Sequence, residues 1–298
     1  MSEPIPCKST IEPLSSYFNL RTKVDVLRLD LVHPVVSGNK WFKLKKYIEE
    51  AKQGQKKLVT FGGAFSNHLL ATAAAAQKEG LQSVGIVRGE EPAILSHTLR
   101  QARSFGMELQ FVSREAYRQL HYPGNLPANL PGDSLVIPEG GYGYPGARGA
   151  EAILAENETG VYTHILCAVG TGTTLAGMIC SAMEGQQLIG IPVLKNAFSL
   201  RKEINELLPS EKKDAFALIQ DYHFGGYAKK TEALLSFMND LYSRSGIPTD
   251  FVYTSKAFFA ALDLVRNGYF SEEDKLLVVH TGGLQGNDSL KKGTLIFD

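Results

Sequence analysis

Short apolar segments alternate with helical patterns along most of the chain. Apolar runs typical of buried strands occur at Leu58–Phe61, Val84–Val87, Leu109–Val112, Leu135–Ile137, Ile165–Val169, Leu188–Val193 and Phe216–Ile219. Helical patterns span Asn67–Lys78 and Ala93–Phe105 and begin near Asn39, Thr173 and Leu200. Because apolar strands that alternate with helices form parallel sheets covered on both faces, the pattern predicts an α/β fold.

Two segments suggest how the chain divides into domains. Residues 121–132 contain three prolines and two glycines and predict a surface loop, and Gly140–Gly149 is rich in glycine. We predict a small domain at residues 53–148, inserted into a larger domain formed by residues 1–52 and 149–298. Ligands of such folds bind beyond the carboxyl ends of the strands, often between domains.

Composition excludes several classes of partner. The 31 basic and 31 acidic residues balance, so no general charge attracts nucleic acid or an anionic membrane. The chain has neither a signal-peptide pattern nor an apolar run long enough to cross a bilayer, and we expect a cytoplasmic protein. Cys7, Cys167 and Cys180 have no redox or metal-binding spacing, and the seven histidines form no ligand-spaced pair, so no metal site is predicted.

A glycine- and threonine-rich turn, Gly170–Gly177, follows an apolar strand and precedes a helix. Backbone N–H groups converge at such a turn, and the positive end of the helix dipole favours an anion there. The turn lacks the lysine of a triphosphate-binding loop, and its third glycine is misplaced for a dinucleotide fingerprint. The alternative is a capped strand–helix turn that binds nothing.

A lysine-rich segment, Ser37–Lys45, begins a helix. A helix that starts near Asn39 places Lys40 on the same face as its apolar residues, whereas Lys45 and Lys46 point outward. A sheltered amine loses its charge more readily, as an imine-forming lysine requires. The alternative is a solvated face on which lysine stems cover apolar neighbours.

A third motif, Gly62–His68, links a predicted strand to an alanine-rich helix. Ser66 or Asn67 can cap that helix, and the same groups can also surround a bound carboxylate or ring oxygen. His68 is either an acid–base group or a partly buried polar residue. In the C-terminal third, Tyr227 and Tyr253 can be packing aromatics.

Five motifs in this order are specific in combination: Ser-Gly-Asn-Lys at 37–40, Gly-Gly-x-x-Ser-Asn-His at 62–68, Gly-Thr-Gly-Thr-Thr at 170–174, Tyr-Thr-x-Lys at 253–256 and His-Thr-Gly-Gly at 280–283. With them the chain resembles the 1-aminocyclopropane-1-carboxylate (ACC) deaminase/D-cysteine desulfhydrase family. This family is a branch of the tryptophan-synthase-β-like, fold-type II pyridoxal-phosphate (PLP) enzymes. The resemblance extends from about Val24 to Gly283, nearly the whole chain.

The resemblance implies two open, twisted, mostly parallel sheets, each flanked by helices, with PLP in the cleft between the domains. It implies that Lys40 is the Schiff-base lysine and that Asn67 binds the phenolic oxygen of the cofactor. It further implies a small amino acid as substrate and a homodimer. The other implied site residues are the phosphate ligands Thr171, Gly172, Thr173 and Thr174, the substrate-binding Ser66, Asn67 and His68, and the catalytic residues Ser66, Tyr227 and Tyr253.

Two positions indicate the desulfhydrase side of the family. Thr254 stands where ACC deaminases carry glutamate near the pyridine nitrogen, and His68 stands where they carry glutamine. Thr281 then becomes the neutral partner of that nitrogen, with Thr254 nearby. A hydroxyl does not keep the nitrogen protonated as a carboxylate does, so the ring is a weaker electron sink. This favours a lyase that eliminates a good leaving group, with D-cysteine the first candidate substrate.

Three other functions remain open from the sequence. The chain can be an ACC deaminase. It can also be a PLP-binding protein without catalysis, since Phe42 replaces a usual arginine and Leu284–Gly286 departs from the usual sequence after His-Thr-Gly-Gly. A nucleotide-binding Rossmann-like module is the third alternative, although the acidic residue expected for the ribose is missing.

Overall fold

The computed structural model describes residues 9–120 and 132–298. Cys7 and nearly all of the loop predicted at 121–132 therefore lie outside the described residues. The strands are β1 (Thr10–Pro13), β2 (Lys23–Arg28), β3 (Lys57–Gly62), β4 (Ser83–Arg88), β5 (Glu108–Val112), β6 (Ser134–Ile137), β7 (His164–Val169), β8 (Gln187–Pro192), β9 (Phe216–Leu218) and β10 (Lys275–His280). The helices are α1 (Ser15–Phe18), α2 (Asn39–Gly54), α3 (Asn67–Lys78), α4 (His97–Ser104), α5 (Arg114–Leu120), α6 (Tyr144–Ala150), α7 (Ala152–Ala155), α8 (Thr173–Ser181), α9 (Leu200–Asn205), α10 (Glu232–Ser245) and α11 (Thr254–Arg266).

The larger sheet has six strands in the order β1-β2-β10-β7-β8-β9. All neighbours are parallel except β1, which runs antiparallel to β2 at one edge. Alternate side chains of β7 enter two separate cores: Ile165 packs with residues of α6–α9, and Leu166 with residues of α10 and α11. Helices thus cover both faces, as apolar parallel strands require.

The smaller sheet has four parallel strands in the order β5-β4-β3-β6. Leu58 packs with α2 and α3 on one face, whereas Val59 packs with Tyr117 of α5 on the other. All four strands lie within the small domain predicted at residues 53–148, whose boundaries stay a prediction. The predicted α/β fold with two mostly parallel sheets is confirmed.

Several elements differ from the sequence-based prediction. The helix predicted over Ala93–Phe105 begins only at His97, because the Ser96 hydroxyl accepts a hydrogen bond from the Leu99 N–H and caps the helix there. Strands β1 and β2 and helices α10 and α11 were not predicted. No helix in the described part of the chain is long and apolar enough to cross a membrane.

Two glycines fix helix α2, which carries the predicted lysine motif, between the other elements. Gly38 has a φ of 65°, and a Cβ there would lie 2.0 Å from the Thr281 carbonyl oxygen. That oxygen accepts a hydrogen bond from the Asn39 N–H at 3.1 Å. On α6, a Cβ on Gly149 would lie 2.2 Å from the Phe42 carbonyl oxygen. Helix α2 therefore begins against the end of β10 and packs at backbone distance on α6.

We expect Gly149→Ala to lower the free energy of unfolding by about 2 kcal/mol or more, because the added methyl group meets backbone that cannot rotate away. Urea unfolding of the purified protein measures the change. Gly160→Ala is the matched control, because a Cβ there meets only the Met183 side chain, which is 55% exposed and free to move. Equal stability of the two variants would contradict the close packing of α2 on α6.

Candidate active site

Four of the predicted motifs meet at the carboxyl ends of the parallel strands. The 280–283 motif follows β10, the 170–174 turn follows β7, and the 62–68 loop follows β3. The start of helix α2 lies against the first of these, through the Asn39 contact with Thr281. Ligands of α/β folds bind at this edge of their sheets.

A short chain of hydrogen bonds joins Lys40 to the anion-binding turn. Nζ of Lys40 donates to Oδ1 of Asn39 at 3.0 Å, and Nδ2 of Asn39 donates to the Thr174 hydroxyl at 2.8 Å. The structure therefore brings together two motifs that are more than a hundred residues apart in the sequence.

The turn itself has the shape that an anion requires. Gly172 has a φ of 79°, and a Cβ there would lie 2.4 Å from Ile204, so only glycine fits. The hydroxyls of Thr171 and Thr173 lie 3.1 Å apart, and helix α8 begins at Thr173. Two hydroxyls and the positive end of a helix thus face one small volume.

A second lysine, Lys43, lies beside this turn and was not singled out from the sequence. It is 3% exposed, and no hydrogen bond or ion pair joins its ammonium to another described residue. A Cβ on Gly141 would lie 3.3 Å from Cε of Lys43, and one on Gly140 would lie 3.0 Å from Thr171. Burial, with the nearby charge of Lys40, holds the pKa of Lys43 well below its usual value. The only sequence signal was its spacing, three residues after Lys40 on one helix.

Burial also lowers the pKa of Lys40 to about 8, against the opposing effect of the Asp250 carboxylate. Asp250 is itself saturated with donors. It accepts hydrogen bonds from the N–H groups of Val252, Tyr253 and Thr254 and, at 2.7 Å, from the Thr254 hydroxyl. Because Asp250 is fully buried, its pKa is raised in spite of these bonds. Sequence reasoning missed Asp250, although an acidic residue shortly before a helix is a capping signal.

The two threonines predicted near the ring nitrogen differ in whether the side-chain hydroxyl is free to bond a ligand. The Thr254 hydroxyl donates to Asp250 and also accepts from the Asp250 N–H at 2.8 Å, so its hydrogen-bonding capacity is used. The Thr281 hydroxyl makes no hydrogen bond to another described residue, and only its carbonyl is engaged. Thr281 is thus the threonine whose side chain is available to a ligand.

In the 62–68 loop, Ser66 caps helix α3, as predicted, by accepting a hydrogen bond from the Leu69 N–H at 3.3 Å. The hydroxyl proton of Ser66 is left for another acceptor. Nδ2 of Asn67 donates to the Gly283 carbonyl at 3.1 Å, which links this loop to the 280–283 motif. Oδ1 of Asn67 is buried and has no partner among the described residues, so it marks a place for a bound group.

His68 points back into the small domain. The Thr60 hydroxyl donates to the Ile137 carbonyl at 2.9 Å, so Nε2 of His68, at 2.8 Å from the same hydroxyl, must carry the proton. Nδ1 of His68 is then an unprotonated acceptor, and no described group donates to it. Burial, together with the charges of Lys40 and Lys43, holds the pKa of His68 well below its usual value. The imidazole is neutral, and a substrate-binding role for it stays a prediction.

The two predicted tyrosines lie together. The Tyr253 hydroxyl donates to that of Tyr227 at 3.5 Å, and a Cβ on Gly170 would lie 3.2 Å from the Tyr253 ring. Burial raises the pKa of both phenols. Lys256, fully buried, donates to the Gly226 carbonyl at 2.8 Å and holds the loop that carries Tyr227. The sequence motif contained Lys256, but its contact is visible only in the fold.

Comparison with known proteins identifies the family to which this site belongs. Residues 12–282 match the family model described as pyridoxal-phosphate dependent enzyme, which covers most of the chain. The chain belongs to the PLP-dependent enzymes. The resemblance stated from the motifs is thereby confirmed, as are the cofactor and the fold type.

Its relatives within the PLP-dependent enzymes cover nearly the same length. A Pyrococcus horikoshii protein with a provisional assignment as an ACC deaminase is 31% identical over 306 residues, 95% of this chain and 92% of that protein. An ACC deaminase of Rhizobium rhizogenes is 30% identical, covering 83% of this chain and 82% of that enzyme. The crystal structure of an ACC deaminase homologue, 29% identical, superposes with a TM-score of 0.76 over 96% of this chain and 92% of that one.

The residues of the cleft fit PLP. The threonine turn and the Lys43 amine, which has no counter-charge among the described residues, suit its phosphate. The unpaired amide oxygen of Asn67 suits a polar ring substituent, and Lys40 offers an amine of lowered pKa. When bound, PLP supplies an electron sink for negative charge at the α-carbon of an amino acid. That these residues hold it stays a prediction.

We expect Lys43→Met to weaken the binding of PLP by about tenfold or more, because one charge-assisted hydrogen bond to the phosphate is lost. Absorbance titration of the cofactor-free protein with PLP measures the dissociation constant. Lys46→Met, which removes an exposed charge of the same helix paired with Glu49, is the control. A dissociation constant equal to that of the control would show that Lys43 does not serve the phosphate.

Proposed function

We propose that this PLP-dependent enzyme is a lyase that removes the β-substituent of a small amino acid, with D-cysteine as the first candidate substrate. The products are then sulfide, pyruvate and ammonia. The observation that carries the proposal is that hydroxyls stand at the two positions predicted near the ring nitrogen. Thr254, at the start of α11, is bonded to Asp250, and Thr281, directly after β10, has a hydroxyl to offer.

The two hydroxyls bear on the protonation of the pyridine nitrogen of PLP. A carboxylate beside the pyridine nitrogen keeps it protonated, whereas a hydroxyl does not. The Asp250 carboxylate does not replace a missing glutamate, because its oxygens already accept four hydrogen bonds. A weaker electron sink suits substrates whose β-substituent departs readily, such as a thiol, better than it suits the opening of an unactivated ring.

The side chains of the cleft have complementary roles in this reaction. Nζ of Lys40, with a pKa of about 8, would be able to take the α-proton of the substrate. The Tyr227 and Tyr253 phenols, whose pKa values are raised, keep their protons and are able to donate to a leaving sulfur. Ser66 and Asn67 orient the substrate from the opposite loop. Catalytic and substrate-binding roles of these residues are part of the proposal.

ACC deaminase is the second candidate, and the names of the relatives favour it. The Rhizobium rhizogenes enzyme carries that name at 30% identity. The two functions share the cofactor and the removal of nitrogen as ammonia, and they differ in the bond that breaks. The homodimer and the cytoplasmic location implied by the resemblance also stay predictions.

We expect Lys40→Ala to abolish both the visible absorbance that covalent attachment of PLP gives and the release of pyruvate, because the attaching amine is gone. Absorption spectra and borohydride trapping followed by peptide mass analysis measure the attachment. Lys46→Ala on the exposed face of α2 should keep both properties. A trapped cofactor at another lysine in the Lys40→Ala protein would refute the assignment.

For the unmodified enzyme, we expect sulfide release from D-cysteine to exceed ammonia release from ACC in kcat/KM by about tenfold or more, since the neutral ring partner disfavours ring opening. Methylene-blue detection of sulfide and coupled detection of ammonia measure the two rates, with L-cysteine as a further substrate. Turnover of ACC that equals or exceeds that of D-cysteine would favour the second candidate.

A further inference from the structure

The loop that carries Tyr227 has a backbone conformation that most residues avoid. Apart from Tyr227 itself, every residue at 224–228 has a positive φ: Phe224 (48°), Gly225 (91°), Gly226 (116°) and Ala228 (53°). Residues with a side chain rarely adopt this region, and such a conformation persists only where the surrounding contacts enforce it. The position of the Tyr227 phenol therefore depends on the contacts that hold this loop.

Three contacts tie the 224–228 loop to helix α11 and to the residue directly before that helix. Two of them pair aromatic rings and the third is a hydrogen bond between them. They are Phe224 edge-on to Phe259 at 5.0 Å between ring centroids, Tyr227 edge-on to Tyr253 at 6.0 Å, and Lys256 to the Gly226 carbonyl at 2.8 Å. One helix thus holds the loop along its length.

Lys256 makes the polar contact of the three. Its side chain is fully buried, and in the described part of the chain no second hydrogen bond and no ion pair joins its Nζ to another residue. Its acceptor, Gly226, is the buried residue of an otherwise partly or fully exposed loop. The Lys229 N–H donates to the same carbonyl at 3.1 Å. Two donors therefore fix the peptide that directly precedes Tyr227.

Stability does not explain why a lysine stands at position 256. Burial lowers the pKa of Lys256 to about 8, against the opposing effect of the Asp250 carboxylate. The folded protein therefore disfavours the charged amine relative to water, because one carbonyl does not replace the lost hydration. An apolar side chain of similar length would fill the space without this cost. The amine must contribute something other than the free energy of folding.

We propose that Lys256 is a positioning residue for Tyr227: its amine fixes the Gly226 carbonyl and thereby holds the Tyr227 phenol against Tyr253 in the cleft. The inference rests on the proposed lyase function, in which Tyr227 donates a proton to the departing group. Proton transfer requires heavy atoms within about 2.6–3.2 Å of each other. A loop displaced by about 1 Å would therefore lose most of the contribution of this phenol.

Hydrogen exchange of the PLP-loaded enzyme tests the contact without turnover. The Gly226 N–H donates to the His223 carbonyl and the Lys229 N–H to the Gly226 carbonyl, so both amides report on the loop. We expect Lys256→Met to speed their exchange about tenfold, since a hydrogen bond from a charged donor is lost and the loop opens more often. Mass analysis of a peptide that spans residues 223–230 measures the rates.

Ser255→Ala is the matched control. Ser255 is fully buried on the same helix, and its hydroxyl has no partner among the described residues. This variant should keep the exchange rates and the kcat of the unmodified enzyme. Urea unfolding should show that Lys256→Met is at least as stable as the unmodified enzyme, which separates positioning from a merely structural role. If Lys256→Met does not fold, Lys256→Gln, with a neutral donor at the same position, serves for the same comparisons.

A double-mutant cycle connects the contact to catalysis. Lys256→Met should lower kcat for D-cysteine about tenfold or more and change KM by less than about threefold, because Tyr227 acts on the departing group and not on substrate binding. In a Tyr227→Phe background the same substitution should lower kcat by less than about twofold, since the phenol that Lys256 positions is already absent.

The possible failures are distinguishable. Unchanged exchange in Lys256→Met, faster exchange with unchanged kcat, or an equal loss of kcat with and without the Tyr227 phenol would each overturn the inference and leave the lyase function standing. A loss of kcat that merely follows a loss of stability would also overturn it. If the unmodified enzyme turns over ACC but not D-cysteine, the proposed function fails, and the same cycle measured by ammonia release from ACC decides the role of Lys256.

Discussion

Two lysine amines share a cleft from which most water is excluded, and the properties of the site depend on this constraint. Lys43 has no partner among the described residues, Lys40 has only the amide oxygen of Asn39, and the Asp250 carboxylate is saturated by its own loop. A buried ammonium without a counter-charge is costly, so it either loses its proton or takes up an anion. The cleft favours both responses: burial lowers the pKa of Lys40 to about 8 and that of Lys43 well below its usual value, and an anion bound beside either amine would favour its charged form again.

Close packing of the backbone fixes the positions of the Lys40 and Lys43 amines. Gly38 lets the start of α2 touch the carbonyl of Thr281, and Gly149 lets α6 lie directly on the helix one turn later. The side-chain amide of Asn39 then accepts a hydrogen bond from Lys40 through its oxygen and donates one to Thr174 through its nitrogen. Because these contacts tie α2 to three different segments, they fix the positions of Lys40, the 170–174 turn and the 280–283 motif relative to one another. A single additional methyl group at either glycine would change it.

Local sequence patterns predicted much of the fold and part of the site. Helix α3 was predicted with its observed bounds because Ser66 caps it and alanines follow. The helical spacing drew attention to Lys40, but its role as the Schiff-base lysine came from the family resemblance and stays a prediction. Residues whose environment comes from distant segments were missed. Lys43 is buried by the loop at Gly141, about a hundred residues later in the chain, and no local pattern contains that contact. Likewise, Asp250 was missed because its importance lies in its effect on Lys40, which only the fold brings near.

Burial explains why the cleft holds a base, the lysine amine, together with acids, the tyrosine phenols. Free lysine and tyrosine have nearly equal pKa values, about 10.4 and 10. Burial disfavours the charged form of each, but that form is the acid of lysine and the base of tyrosine. The pKa of Lys40 therefore falls to about 8 while those of Tyr227 and Tyr253 rise.

Burial in one cleft thus gives a proton acceptor and two proton donors, and the Asp250 and Glu139 carboxylates raise the pKa values of the two phenols further. An elimination needs this pairing, because a proton leaves the α-carbon while a departing thiolate gains one.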